Sequence, residues 1–209
     1  MLSRGLYRAT RAVAGLEFAL VLPMLLILGG GLTDLSLAWL TAQRLTAAAE
    51  ATGLIATTLA AQASNLNKLS GQQAWQATTA PFATFPNWNV AASSGYSITL
   101  SAVNFTAKNG GYAGSVQWSV AYPAGQVVLR PCGAVASLPN GSDSMSGLPA
   151  GVFGPTSLLV ADVAVVFTPP VSGVFTGPFS MLRSAYVSPR VNNGIQLTSI
   201  GPAKTVICG

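Results

Sequence analysis

Residues Ala12–Gly53 read AVAGLEFALVLPMLLILGGGLTDLSLAWLTAQRLTAAAEATG, and this stretch decides how the rest of the chain is organised. Arg4, Arg8 and Arg11 precede it, and Glu17 stands at the edge of an uncharged run. From Phe18 to Thr33 no residue ionises, and beyond Asp34 the next charge is Arg44. At ~1.5 Å of rise per residue, Glu17 to Asp34 covers roughly 25 Å of helix, close to the ~30 Å hydrocarbon core of a bilayer. Leu35–Leu40 lengthen the apolar segment, and Trp39 falls where an interfacial aromatic would sit. The arginine cluster puts the N-terminal side in the cytoplasm and the remaining chain outside it. The segment reads as a type II membrane anchor.

Three other readings compete. A buried core helix of a soluble protein rarely runs this far without a polar face. A secretory signal has the basic n-region, the apolar h-region and an A-x-A-like end at Ser36-Leu37-Ala38, but this apolar run exceeds the usual h-region and continues as helix. A plain signal anchor without processing is the third. Glu17 weighs on all of them. A carboxylate just inside a bilayer costs a few kcal/mol unless it is paired, although at headgroup level the positive end of the helix dipole would favour it.

The run Arg11-Ala12-Val13-Ala14-Gly15-Leu16-Glu17-Phe18-Ala19-Leu20-Val21-Leu22-Pro23 resembles the N-terminus of type IV pilin-like proteins. It is most similar to the TadE-like pseudopilins (TadE/TadF) of the tight-adherence, or Flp, pilus system. The similarity continues through Asp34-Leu35, Gln43-Arg44-Leu45 and Ala47-Ala48-Ala49, about the first quarter of the chain. The resemblance implies cleavage by a prepilin peptidase on the cytoplasmic side, five residues before the Glu. Ala12 then precedes the cut, Val13 becomes the new N-terminus, and Glu17 with Phe18 forms the assembly and recognition element. Ala12 stands where the family usually has Gly, so a small residue is kept. In pilins the Glu is thought to meet the new amino terminus of a neighbouring subunit, which would supply the partner a bilayer demands.

Composition fits a protein held at a membrane or packed among subunits. Of 209 residues half are hydrophobic and only 7% are charged, against ~25% in ordinary soluble domains. That leaves room for an anchor and one further domain. The formal net charge of +5 is no nucleic-acid signal. Without the three leader arginines, seven basic residues face five acidic ones, a net charge of +2, and the basic residues are scattered singly, with no stripe.

Past the membrane segment, Leu45, Ala48, Thr52, Ile55, Leu59, Gln62, Leu66 and Leu69 recur at steps of three and four and share one helix face. The preferred reading is that this face packs on the domain that follows. Lys68 and Gly71 read as a helix stop. Pro23 and Gly29-Gly30-Gly31 predict a kink or loosened turn, and small residues also permit close helix packing in lipid. Residues 72–95 read as a low-charge connector. From Tyr96 the period becomes two: Tyr96, Ile98 and Leu100 alternate, as do Val116, Trp118, Val120 and Tyr122, each set on one side of a sheet. Asn109-Gly110 between them predicts a type I′ hairpin. Residues 131–156 read as a long loop and Leu158–Phe167 as a strand, with Asp162 facing solvent or an edge. A final pair, 181–187 and 195–200, would close on Asn193-Gly194, with Pro189 weakening that end. A long helix followed by short antiparallel strands predicts an α+β fold, a transmembrane helix extending into an exported antiparallel β-sheet domain.

The only cysteines are Cys132 and Cys208. On the exported side, a pair without competing thiols reads as a disulfide. With neither CxxC spacing nor any histidine, the pair is a poor metal site. The missing histidine also removes Ser-His and Cys-His nucleophile systems. Beyond the anchor the acids are Glu50, Asp143 and Asp162; the last two could in principle form a glycosidase-like pair, but no second feature supports them. No phosphate-cradling glycine motif follows a strand. Asn104-Phe105-Thr106 and Asn140-Gly141-Ser142 are formal glycosylation sequons of little weight.

The expected organisation is a basic cytoplasmic leader over 1–12, a helix over 13–70 that crosses the membrane and continues outside, and a β domain over 71–209. The expected role is non-enzymatic: a pilin-like structural subunit in assembly of a tight-adherence pilus, without catalytic residue, metal or cofactor. Its expected place is the bacterial inner membrane, single-pass, with a periplasmic C-terminal domain. Partners would be the membrane, a prepilin peptidase, other pilin or pseudopilin subunits and the assembly machinery, but no nucleic acid. The alternatives are a membrane-tethered periplasmic binding domain outside any filament and, third, an exported enzyme with a cleaved signal.

Overall fold

The computed structural model describes residues 3–62, 68–84, 97–122, 130–171, 173–189, 194–202 and 204–208. Its architecture is α+β, as expected: a long apolar helix followed by a mostly antiparallel sheet. The chain divides into two compact units. One comprises Met1–Thr41 with Phe167–Phe179, the other Ala42–Val166 with Ser180–Gly209.

Helix α1 runs from Ser3 to Gln62, 60 residues, and stays helical through Pro23 and the three glycines. It stops before the expected Lys68, which instead opens the two-residue strand β1, Lys68–Leu69. Gly71 is likewise no stop. It begins helix α2, Gly71–Thr84, so most of the expected connector is helical. The reason is a capping box at Ser70-x-x-Gln73. The Ser70 hydroxyl accepts the Gln73 N–H at 3.2 Å, and the Gln73 side-chain oxygen accepts the Ser70 N–H at 2.9 Å. Of the expected connector, residues 85–95 lie outside the described residues, as do Leu66 and Tyr96.

Strands β2 (Ser97–Lys108) and β3 (Gly111–Tyr122) form the expected hairpin. Asn109 at φ 49° and Gly110 at φ 80° take the left-handed geometry of its turn. The expected loop after residue 131 instead contains β4 (Gly133–Leu138), β5 (Gly147–Pro149) and a single 3₁₀ turn at Ala150–Val152. Strand β6 is Leu158–Phe167, with the expected bounds. A helical turn α3 (Gly173–Thr176) leads to β7 (Phe179–Val187), and β8 (Gln196–Leu197) and β9 (Lys204–Ile207) follow. The sheet order is β5-β4-β3-β2-β6-β7, with β9 also on β3. The expected C-terminal hairpin does not form, because β7 lies beside β6 and β8 pairs in parallel with β1. Of its expected turn, Asn193 lies outside the described residues.

A register shift between Ala102 and Val103 leaves Gln117 as an extra residue on β3. Such a bulge changes which face the side chains beyond it occupy. Val116 and Trp118, two residues apart, accordingly join different core clusters, which corrects the single-face reading of β3. On one face Ile98, Leu100, Trp118, Val120 and Leu159 pack with Leu45, Ala48 and Ala56 of α1 and Ala74 and Ala77 of α2. The part of α1 from Leu45 onward thus packs on the sheet that follows, as expected. Its small residues let helix and sheet approach closely. The Trp118 indole N–H donates to the Ile195 carbonyl at 2.6 Å, fixing the chain before β8 against this core.

Because β2 occupies one edge of β3 along its length, β4 and β9 share the other, and they meet at the bulge. Val116 pairs with Gly133 of β4, Trp118 with Ile207 of β9, and the Cys208 N–H reaches the Gln117 carbonyl at 2.8 Å. Cys132 and Cys208 flank this junction and are bridged, their Cα atoms 5.5 Å apart.

Ser70→Ala should lower unfolding free energy by about 1 kcal/mol, the usual worth of an N-cap, and Ser70→Asp should restore it. Chemical denaturation of the full chain in detergent, followed by Trp fluorescence, measures both.

Candidate functional site

The first site is the exposed part of α1. Phe18, Leu20, Met24, Leu26, Ile27 and Trp39 are each more than 60% exposed, and they do not confine themselves to one face. A helix apolar all round belongs in a core or a membrane, and it greatly exceeds the apolar patches ordinary monomers show to water. From Leu45 onward the same helix is built into the sheet core. Of the candidate span Glu17–Gln62, the lipid-compatible portion is therefore the part before about residue 41. Within it the hydroxyls turn inward: Thr33 donates to the Gly29 carbonyl at 2.9 Å and Ser36 to the Leu32 carbonyl at 2.8 Å. Polar side chains thereby satisfy themselves without water.

Glu17 and Phe18 are exposed at the start of this segment. Ala12 and Val13 lie on the α1 backbone, one turn before Glu17, and their side chains are outside the described set. The residue that sequence reasoning passed over is Asp34. It is 6% exposed, and its carboxylate accepts the Val171 N–H at 3.1 Å. One turn earlier, Val171 lies directly over Gly30, where an added Cβ would come within 2.6 Å of a Val171 methyl. At Gly29 and Gly31 a Cβ would meet nothing within 4 Å. Of the glycine run, Gly30 is thus the one used for packing. The connection between β6 and β7 rests on the helix there.

The second site is an ion pair inside the sheet unit. Asp162 is 2% exposed and Arg130 1%, which overturns the solvent-facing reading of Asp162. Strand β6 lies between β2 and β7, and the Arg130 side chain reaches Asp162 on it. Arg130 Nε donates to Asp162 at 3.2 Å, and Nη2 lies 2.9 Å from each carboxylate oxygen. Nη1 donates to the Gly147 carbonyl at 2.9 Å, and Nη2 also lies 3.0 Å from the Ser144 carbonyl. Ser184 donates its hydroxyl to Asp162 at 2.6 Å and its N–H to Asp143 at 3.3 Å, while Arg183 pairs with Asp143 at 3.3 Å. Burial pushes the Asp162 carboxyl above its ordinary range, with the Arg130 charge and the Ser184 hydroxyl pulling it back. Burial also raises the Tyr186 phenol.

The two carboxylates considered as a glycosidase pair do converge on Ser184, yet each is engaged by its own arginine. One is inaccessible, and the arrangement ties β6, β7 and the 130–147 segment together. Sequence offered one faint signal for it. Arg130 is the only charge between Lys108 and Asp143, set within an apolar run before Cys132. A cleft of about 260 Å³ beside the disulfide, lined by Asn104, Gln117, Gln196 and Cys208, falls short of the usual ~300–1,000 Å³ of ligand pockets. Among the described residues no cluster of potential metal ligands occurs.

A family model described as TadE-like protein matches residues 12–53, about a fifth of the chain. No curated protein and no solved structure matches significantly. The match covers Glu17, Asp34 and the passage of α1 from its exposed to its buried part.

Removing one member of a buried ion pair typically costs about 3–5 kcal/mol, whereas replacing both with apolar residues is often neutral. Asp162→Leu and Arg130→Met should each destabilise on that scale, and the double substitution should recover most of the loss in a denaturation cycle.

Proposed function

With the TadE-like match over residues 12–53 as premise, we propose that the chain is a membrane-anchored, pilin-like subunit of a tight-adherence pilus. The match points to the tight-adherence pilus system, and the exposed apolar helix fits a single-pass anchor. The observation that carries the reading is their coincidence. The matched segment falls on the part of α1 that water would not tolerate.

In this reading Arg4, Arg8 and Arg11 stay in the cytoplasm and the sheet unit lies in the periplasm. The bridged Cys132 and Cys208 support that side, since disulfides persist in oxidising compartments. A prepilin peptidase would cut between Ala12 and Val13, leaving Glu17 as the fifth mature residue. Glu17 would then meet the new amino group of a neighbouring subunit, a pairing that offsets the cost of an acid in lipid. The role is structural, not enzymatic: the acids that could have served chemistry, Asp143 and Asp162, are held by Arg183 and Arg130.

N-terminal sequencing of the membrane-extracted protein should give Val13 as the first residue. A start at Met1 would favour an unprocessed tether, and a start near Trp39 a secreted protein. Glu17→Ala should leave membrane insertion intact and reduce piliation; normal piliation would make Glu17 a mere interfacial residue.

A further inference from the structure

The connection between β6 and β7 has a composition unlike an aqueous loop. From Val163 to Leu182 no residue ionises, and its tip reads TPPVSGVFTGPF over 168–179. It rests on α1 at Gly30, with the Val171 N–H on Asp34. Taking α1 as a membrane span, as proposed above, fixes where that contact must be. Gly30 lies ~20 Å along the helix from Glu17 and Asp34 ~25 Å, at ~1.5 Å per residue. Any placement that keeps the uncharged run within a ~30 Å hydrocarbon slab leaves Gly30 in lipid. Whatever rests on Gly30 is therefore in lipid too.

Several of the loop's backbone donors are satisfied within the protein or absent, as lipid demands of irregular chain. Pro169, Pro170 and Pro178 carry no N–H at all. The Gly173 N–H donates to the Pro169 carbonyl at 3.1 Å and the Gly177 N–H to the Gly173 carbonyl at 3.0 Å, while that of Val171 goes to Asp34. Its exposed side chains include the apolar Val171, 50% exposed, and Phe179, 44%, the latter edge-on to Phe167 with ring centroids 5.4 Å apart, alongside the exposed Thr168 and Thr176. Asp34 in turn gains a hydrogen-bond donor that lipid could not provide.

We propose that the described residues of 168–179 form a second membrane element, a loop inserted in the outer leaflet beside α1, whose exposed apolar side chains contact lipid. The chain would then enter the bilayer twice, once by helix and once by a hairpin-like tip, with Asp34 and Gly30 as the docking point.

The test uses the full chain with its disulfide intact, reconstituted in phosphatidylethanolamine–phosphatidylglycerol vesicles. An environment-sensitive fluorophore is placed at Thr176→Cys in the loop, at Leu26→Cys in the helix, or at Lys108→Cys in the β2–β3 hairpin. Spin-labelled lipids and aqueous iodide then report depth. The proposal expects lipid quenching at Thr176 several-fold above that at Lys108, and iodide quenching only at Lys108. If Leu26 is quenched by lipid while Thr176 behaves like Lys108, the loop is in water, and only the loop proposal falls. A Thr176 probe reached by neither quencher would place the loop against protein, a second copy included, and also overturns it. Should Leu26 escape lipid quenching, the span itself fails and the proposal with it. Gly30→Leu should cut the Thr176 signal at least twofold with Leu26 unchanged, while Gly31→Leu should leave both; equal effects would refute Gly30 as the docking point.

Discussion

One helix serves two solvents. From Phe18 to about residue 41 most described side chains of α1 are apolar and exposed, apart from the strip at Gly30 and Asp34 under Val171, and from Leu45 onward a single face of the same helix is sealed into a sheet core. Water is a poor medium for the first part and has no access to the buried face of the second. The transfer free energy of side chains such as Leu, Ile and Phe, each worth about 1.5–3 kcal/mol when fully buried, has to be recovered somewhere outside the described contacts. The requirement for an apolar environment is thus set by composition before any partner is considered. A bilayer meets it with least further assumption.

The outer part of the helix shows how thin sequence cues become sufficient in context. Its buried residues are largely alanines, which alone bury little area. They lie against Ile98, Leu100, Trp118 and Val120, and Gly53 lets a Val187 methyl come close enough that a Cβ there would overlap it. Helix-to-sheet packing of this kind draws its area from the sheet and its proximity from the helix. The bulge at Gln117 adds a second use of one irregularity. It turns Val116 and Trp118 to opposite faces and marks the point where β4, β9 and the disulfide meet. A disulfide there holds two short strands that have few contacts of their own.

Periodicity made the long helix, the β2–β3 hairpin and β6 legible, because each extends over ten or more residues with a continuous pattern. What escaped was short or non-local. The capping box at Ser70 and Gln73 was visible in principle but was hidden by reading Gly71 as a terminator, a residue equally at home at either end of a helix. Strands β1, β5 and β8 are two or three residues long and exist only through their partners, so no local pattern announces them. Asp162 was misplaced because alternation identifies the face opposite the apolar residues, not whether that face is covered. Its cover comes from Arg130, 32 positions away. The importance of Gly30 over its neighbours was unreadable for the same reason, since it depends on Val171.

The low charge content gains a different meaning once the partners are known. Of five acidic residues, Asp34, Asp143 and Asp162 are committed to contacts within the protein, and Arg130 and Arg183 are committed with them. Five of the fifteen charged residues therefore fix chain segments to one another. A buried pair such as Arg130–Asp162 adds little net stability over an apolar substitute, but it tolerates only one arrangement of the 130–147 segment on the sheet. Asp34 likewise favours the loop register that brings the Val171 N–H to its carboxylate. Both acids act as selectors of geometry. That is a sensible use of charge in a chain whose remaining residues are apolar enough to pack in several ways.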